Sequence, residues 1–201
     1  TNADGGPSVV PDKTKTLIFG GASGGAVTVS GTVEADKGLA FNTNGYALDG
    51  GTAIEMNGAD STTNSISVGS SFTATIATDI TGSTGISKTD AGTLILTGAK
   101  SYTGGTVISG GTLQLGDGTT NGSVVGAITN NATLAFNNGS DLTAANDVSG
   151  TGGITKTGAG VLTLTGTNTY SGKTVISGGF IAASGESKFG TIPGAFVADP
   201  V

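Results

Sequence analysis

The chain has 201 residues, of which 38 are glycine, and it carries a net charge of −6 and no His, Cys, Arg or Trp. The acidic balance excludes a surface built to follow a nucleic-acid backbone, and the missing His and Cys exclude the commonest general base and zinc-thiolate sites. Hydrophobic residues make up 35% and charged residues only 11%, which favours a folded chain over a disordered one.

Taken in chain order, the sequence divides into three regions. Residues 1–15 contain Pro7 and Pro11 and are predicted to be an N-terminal linker or cap, residues 16–189 a β-rich segment, and residues 190–201, with Pro193 and Pro200, a linker to the next module. The start has neither the basic region nor the apolar core of a signal peptide, so we expect any export signal outside this chain. No apolar run approaches the roughly 18 residues that span a bilayer, which predicts no membrane-spanning segment.

Short stretches of alternating apolar and polar residues recur through the middle region. Strict alternation places successive side chains on opposite faces and predicts short, half-buried strands. Glycine interrupts every window long enough for an ordinary helix, so the prediction is all-β. The alternating stretches are residues 93–97, 113–115, 134–136 and 162–164.

A long internal repeat organises these strands. Residues 85–98 align with residues 153–166 at an offset of 68 residues, and the match continues without a gap to the Gly-Gly pairs at 110–111 and 178–179. The predicted repeat copies are residues 76–114 and 144–182. A module of this length is too long for one coil of a solenoid, so each copy must span several coils.

Turn dipeptides separate the predicted strands and leave two folds open. Asn-Gly pairs at 44–45, 57–58, 121–122 and 138–139 are typical of β-hairpins, which would build an antiparallel β-sandwich. Repetition of very short strands, with small residues at the corners, favours a parallel solenoid instead.

Residues 92–113, from Gly92-Thr93-Leu94 through Tyr102-Thr103-Gly104-Gly105 to Gly111-Thr112-Leu113, resemble the autotransporter-associated β-strand repeat, also called the passenger-associated transport repeat. Residues 160–181 resemble it too, with departures at Lys173 and Phe180. The resemblance implies a right-handed parallel β-helix in the passenger of a bacterial type V secreted or surface protein. It also implies adjoining modules, an outer-membrane translocator barrel as partner, and location at the Gram-negative cell surface or outside the cell.

The resulting functional prediction is a structural passenger segment that supports vectorial export, folding and extension of a stalk. We expect no enzymatic activity, no catalytic, cofactor-binding or metal-binding residues and no cofactor, since the usual charge stabilisers are missing. The least favoured alternative is a polysaccharide-degrading β-helix, whose acidic groups would be Glu34 with Asp36 or Asp141 with Asp147. Asp117 or Asp141 could also ligate calcium, but such residues in glycine-rich corners usually bond their own backbone.

An adhesin-type module that binds glycan or a host surface is the second alternative. Its candidate surface comprises outward threonines at 163, 165 and 167, or Tyr102 and Tyr170 with nearby lysines, although β-propensity and corner packing are the favoured explanation of these residues. Lys88 and Lys156 occupy equivalent repeat positions and are predicted to be solubilising charges that discourage edge pairing. The unpaired ends of a solenoid would allow end-to-end self-association.

Overall fold

The computed structural model describes residues 14–59 and 64–191, which form a β-solenoid of about eight coils. Every strand pair among these residues is parallel. The predicted parallel β-helix is therefore confirmed, and the alternative of an antiparallel sandwich is wrong for the described residues. The Asn-Gly pairs lie between strands of the coil, except that Gly122 begins β15, and none of them closes a hairpin.

The strands are short, as the alternation predicts. In chain order they are β1 (Leu17–Phe19), β2 (Ala26–Val29), β3 (Thr32–Glu34), β4 (Leu39–Phe41), β5 (Tyr46–Gly50), β6 (Ala53–Glu55), β7 (Ser65–Val68), β8 (Thr73–Ile76), β9 (Ile80–Thr81), β10 (Ile86–Thr89), β11 (Thr93–Leu96), β12 (Gly98–Ala99), β13 (Thr106–Ile108), β14 (Thr112–Leu115), β15 (Gly122–Ser123), β16 (Ile128–Asn130), β17 (Thr133–Asn137), β18 (Leu142–Ala144), β19 (Val148–Ser149), β20 (Gly153–Thr157), β21 (Val161–Leu164), β22 (Thr174–Ile176) and β23 (Phe180–Ala183). A short 3₁₀ helix follows at Glu186–Phe189.

Each coil passes through three faces. The first face is a seven-stranded sheet, β1-β4-β7-β10-β13-β16-β19, and the second is an eight-stranded sheet, β2-β5-β8-β11-β14-β17-β20-β22. The third face consists of three smaller sheets, β3-β6-β9, β12-β15 and β18-β21-β23. We number the coils 1 to 8 from the N-terminus: coils 1 to 7 begin at the seven strands of the first face, and coil 8 contains β22 and β23.

The core is made of rows of aliphatic side chains that stack from coil to coil. Leu94, Leu113, Leu134 and Ile154 are in register on the second face, and each is 0% exposed. Strands stacked about 4.8 Å apart keep such a row in continuous contact. A row of outward threonines, Thr73-Thr93-Thr112-Thr133, follows the same register on the outside of this face. The predicted alternation thus separates core from surface.

The predicted linkers lie almost wholly outside the described residues. This holds for most of residues 1–15 and 190–201 and for all four prolines. The proposed domain limits therefore stay a prediction. Among the described residues, no helix is long and apolar enough to cross a membrane.

Candidate functional site

The two repeat copies lie on different faces of the solenoid. Strand β10 of the first copy belongs to the first face, whereas its repeat equivalent β20 belongs to the second. Likewise Leu94 lies on the second face and Leu162 on the third. Strand pairing connects Leu94 to Ile154 three coils later on the same face. The 68-residue repeat offset is longer than these three coils, so the equivalent residue lies on the next face. Equivalent outward side chains therefore point in different directions around the axis.

The repeat tyrosines pack in the interior, which confirms corner packing over an exposed binding role. Tyr102 and Tyr170 are both 0% exposed. Their hydroxyl groups hydrogen-bond to the hydroxyls of Thr106, at 2.5 Å, and Thr174, at 2.6 Å. Burial raises the pKa of both phenols above the usual value of 10. The ring fills the corner, and the threonine four residues later satisfies its polar end.

The repeat lysines are buried, so the prediction that they are solubilising surface charges is wrong. Lys88 and Lys156 are each 0% exposed. The Lys88 ammonium donates to the carbonyl oxygens of Thr89 at 2.6 Å, Asp90 at 2.8 Å and Gly110 at 3.2 Å. Each lysine follows an inward isoleucine by two positions, which places it in phase with the core. That phase was the signal in the sequence that would have identified them.

The second repeat copy reproduces this arrangement around Lys156. Its ammonium donates to the carbonyl oxygens of Thr157 at 2.5 Å, Gly158 at 2.9 Å and Gly178 at 3.3 Å. Burial lowers the pKa of Lys156 below 10.5. Gly158 stands where the first copy has Asp90, so the nearby carboxylate of the first copy is not a shared feature.

Another buried lysine, Lys100, holds a neighbouring corner. It is 1% exposed, and its ammonium donates to the carbonyl oxygens of Thr97 at 2.6 Å and of Ala77 and Thr78 at 3.0 Å each. Burial lowers its pKa to about 8, against the opposing effect of Asp79. Burial likewise lowers the pKa of Lys88 to about 8, with Asp90 opposing it. Both groups therefore keep most of their charge at neutral pH.

The acidic residues considered for catalysis mostly cap the backbone of the next coil. Asp36 accepts the N–H of Asn57 at 2.9 Å, Asp141 that of Val161 at 2.9 Å, and Asp147 that of Thr167 at 2.5 Å. The expectation that such residues bond their own backbone is wrong for these three.

Two other acidic residues behave differently from these caps. Asp117 accepts the N–H groups of Thr119 and Thr120 in its own loop, as expected, and these bonds lower its pKa. Glu34 is exposed beside Glu55 at the outer surface of the third face. Within the described ranges, no three acidic side chains gather as metal ligands.

The predicted threonine surface is outward but small. Thr165 and Thr167 are exposed and Thr163 is half-buried. Thr165 also donates from its hydroxyl to the carbonyl of Ala144, and Thr167 donates its backbone N–H to Asp147. These contacts join neighbouring coils, so the residues contribute to the solenoid itself.

Comparison with known proteins agrees with the repeat. The family model for the passenger-associated-transport-repeat matches residues 86–115 and 154–183. The chain is also 44% identical over 104 residues to a protein named adhesin BmaC autotransporter, from Brucella suis biovar 1 (strain 1330). That match covers 49% of this chain and 3% of the relative's length. No solved structure matches the chain significantly. The predicted resemblance is confirmed: residues 86–115 and 154–183 are similar to the passenger-associated transport repeat.

Proposed function

We propose that this chain, two segments of which are similar to the passenger-associated transport repeat, is a structural segment of the passenger of a secreted or surface-displayed bacterial protein. In this role it extends a stalk and supports vectorial export and folding. Its partners are the adjoining modules of a longer polypeptide and an outer-membrane translocator barrel. Its location is the cell surface of a Gram-negative bacterium or the extracellular space. Solenoids of this kind associate end to end only where a neighbouring module supplies the next coil.

The observation that carries this proposal is that the two repeat copies share buried tyrosines and buried lysines. Tyr102 and Tyr170 are buried, as are Lys88 and Lys156, and each pair makes equivalent hydrogen bonds. A repeated ligand-binding patch would instead preserve outward residues on one face. Because the copies lie on different faces, what they preserve is the way the coils stack.

Contacts of this kind suit a chain that folds progressively. Among the described residues, each strand pairs only with strands of the coil directly before or after its own, so stability is close to a sum of neighbour interactions. Coils can then form one after another as the chain emerges, without a distant partner. The sequence has no cysteine, so no disulfide has to form during export.

The proposal is tested in the parent protein by two deletions between residues 86–115 and 154–183, the segments that the family model matches. Ile128 and Val148 are register partners on the first face, so deletion of residues 128–147 removes one complete coil and keeps the phase of all that follow. Deletion of residues 128–137 breaks the phase. We expect the first variant to be exported and resist protease like the wild type, and the second to be degraded or retained. Normal export and resistance of the second variant would contradict a structural role.

A second candidate function is suggested by the name of the relative, which is an adhesin. In that case the outward residues of this segment would bind glycan or a host surface. Binding of the isolated chain to a glycan array or to host cells, abolished by substitutions of Thr165 and Thr167 that leave the fold intact, would support this function. If the chain does not bind, and export depends on the coil phase as described above, the structural role is supported and the adhesin role is not.

A further inference from the structure

The buried lysines follow a fixed rule of sequence separation. Lys88 bonds carbonyl oxygens one, two and 22 residues ahead of it, and Lys156 does the same. The first two carbonyls belong to the lysine's own corner, and the third belongs to the following coil. Each of these lysines therefore joins its coil to the next one along the chain.

A second pair of lysines reaches in the opposite direction. Lys100 bonds the carbonyl oxygens 23 and 22 residues behind it, those of Ala77 and Thr78. Lys188 bonds those of Thr165 and Gly166, at 3.0 Å each, over the same two separations. Both therefore join a coil to the one before it.

We propose that these lysines are inter-coil clamps, in which one ammonium group replaces the backbone donors that a solenoid corner cannot supply. Lys88 and Lys156 are forward clamps, and Lys100 and Lys188 are backward clamps. Together they fasten coils 3, 4 and 5 in the first repeat copy and coils 7 and 8 in the second.

The chemistry of the ammonium group fits this role. It has three N–H donors and no acceptor, and three carbonyl oxygens converge on the Nζ atoms of Lys88, Lys100 and Lys156. Hydrogen bonds from a charged donor are stronger than neutral ones, and a buried carbonyl without a donor is costly. The clamp thus satisfies three acceptors where the chain leaves one strand and turns toward the next.

The glycine pair facing the forward clamp leaves room for it. Gly178 supplies the third carbonyl oxygen, and a Cβ on Gly179 would lie 2.9 Å from the Lys156 Nζ atom. Gly179 also has a φ of +63°, which disfavours other residues. The first copy has the same pair at Gly110 and Gly111, where φ is +64°. In each copy, the lysine and the glycine pair that begins 22 residues later therefore form one structural unit, in which the glycines leave space for the ammonium group.

In the second copy the lysine equivalent to Lys100 is replaced, but another lysine makes the corresponding hydrogen bond. Asn168 stands at the repeat position of Lys100, and Thr165 at that of Thr97. In the first copy Lys100 bonds the Thr97 carbonyl, whereas in the second Lys188 arrives from the next coil to bond the Thr165 carbonyl. Asn168 in turn donates from Nδ2 to the backbone carbonyl of Lys188. A cation is present at this carbonyl in both copies, whichever coil supplies it.

The first test compares Lys88→Met with Lys173→Met in the complete 201-residue chain. Lys88 is buried and Lys173 is exposed, so the second variant controls for the loss of one positive charge. By hydrogen exchange we expect amides of residues 109–112 to exchange roughly tenfold faster or more in Lys88→Met and to be unchanged in Lys173→Met. Equal exchange in the two variants would overturn the proposal.

The second test is a rescue in the second repeat copy. Lys188→Met removes the ammonium from the Thr165 carbonyl, and adding Asn168→Lys places a lysine where Lys100 stands in the first copy. We expect Lys188→Met to speed amide exchange in coils 7 and 8 and the double variant to restore protection. Failure of the second substitution to restore any protection would contradict the requirement for a lysine side chain at this carbonyl.

A third measurement needs no variant, in case Lys88→Met does not fold. Reductive methylation of the native chain should modify Lys37 and Lys173, which are exposed, and leave Lys88, Lys100 and Lys156 unmodified. Equal modification of both groups in the folded protein would overturn the assignment of the clamps.

Discussion

Leu94 and Leu162 occupy the same position of the two repeat copies, yet Leu94 faces the core from the second face and Leu162 from the third. The second repeat copy is therefore related to the first by a translation of three coils along the solenoid axis and a rotation by one face around it. An array built with this spacing returns to its starting face only after three copies. Features used by every copy must then work from any face, which is true of interior packing.

This screw relation predicts distances between outward positions. Gln114 and Val175 lie three coil steps apart on the second face, whereas Ala182, the repeat equivalent of Gln114, lies on the third face. With strands about 4.8 Å apart, we expect spin labels at 114 and 175 to be separated by roughly 15 Å. Labels at 114 and 182 should be clearly farther apart in pulsed EPR. Equal separations would mean that the copies share a face.

The tyrosine hydroxyl is expected to contribute to stability in both repeat copies, but unequally. Tyr102→Phe leaves the Thr106 hydroxyl, on a residue 1% exposed, without its partner. An unsatisfied buried hydroxyl costs about 1–3 kcal/mol in free energy of unfolding. Tyr170→Phe should cost less, because its partner Thr174 is half-buried and can be hydrated. Urea unfolding of both variants measures the difference, and the reverse order would contradict this account of the corner.

A glycine at a close approach between coils should not tolerate a side chain. A Cβ on Gly104 would lie 2.0 Å from the backbone nitrogen of Gly85, so the neighbouring coil would have to move. We expect Gly104→Ala to lower the free energy of unfolding by about 3 kcal/mol or more, at the upper end of overpacking effects.

Gly185 is the matched control for this substitution, because a Cβ there meets no heavy atom within 4 Å. Gly185→Ala should leave the thermal midpoint unchanged. A similar loss in both variants would show that the general flexibility of glycine, and not the inter-coil contact, is responsible.

Stability should rise as the pH increases from 8 toward 10. Burial lowers the pKa of Lys88 and Lys100 to about 8, whereas the unfolded chain titrates near 10.5. Between these values the unfolded chain binds more protons, so the free energy of unfolding increases with pH. The neutral amine still offers two N–H donors to the carbonyls and no longer carries a buried charge. Urea unfolding at constant ionic strength from pH 7 to 11 should show this rise.

Above pH 10 the sign reverses. Burial raises the pKa of Tyr102 and Tyr170, so the folded chain keeps phenol protons that the unfolded chain releases. The free energy of unfolding should then fall as the pH increases further. Combined Tyr102→Phe and Tyr170→Phe substitutions should remove much of this fall and leave the rise below it. A flat profile from pH 8 to 10 would contradict the burial of the lysines.

The core could be predicted from the sequence because alternation is a local property of the chain. Leu94 and Leu96, or Leu162 and Leu164, point inward in any extended strand that buries one side. The repeat offset and its landmarks are also read directly from the residues, and they favour a parallel solenoid over the antiparallel sandwich. The phase of Lys88 with Ile86 was equally visible, but a lysine is ordinarily assigned to the surface because burying its charge is costly.

Only the tertiary structure decided which face each strand occupies and what the corner residues contact. Face depends on the summed length of all preceding corners, so a change of a few residues moves every later strand. The partners of Lys88 and Asp141 include a backbone group about 20 residues away, in the next coil. Sequence spacing does not predict that contact until the coil length is known. The residues therefore determined that strands form and which sides are apolar, whereas the stacking of coils determined that the buried lysines join them.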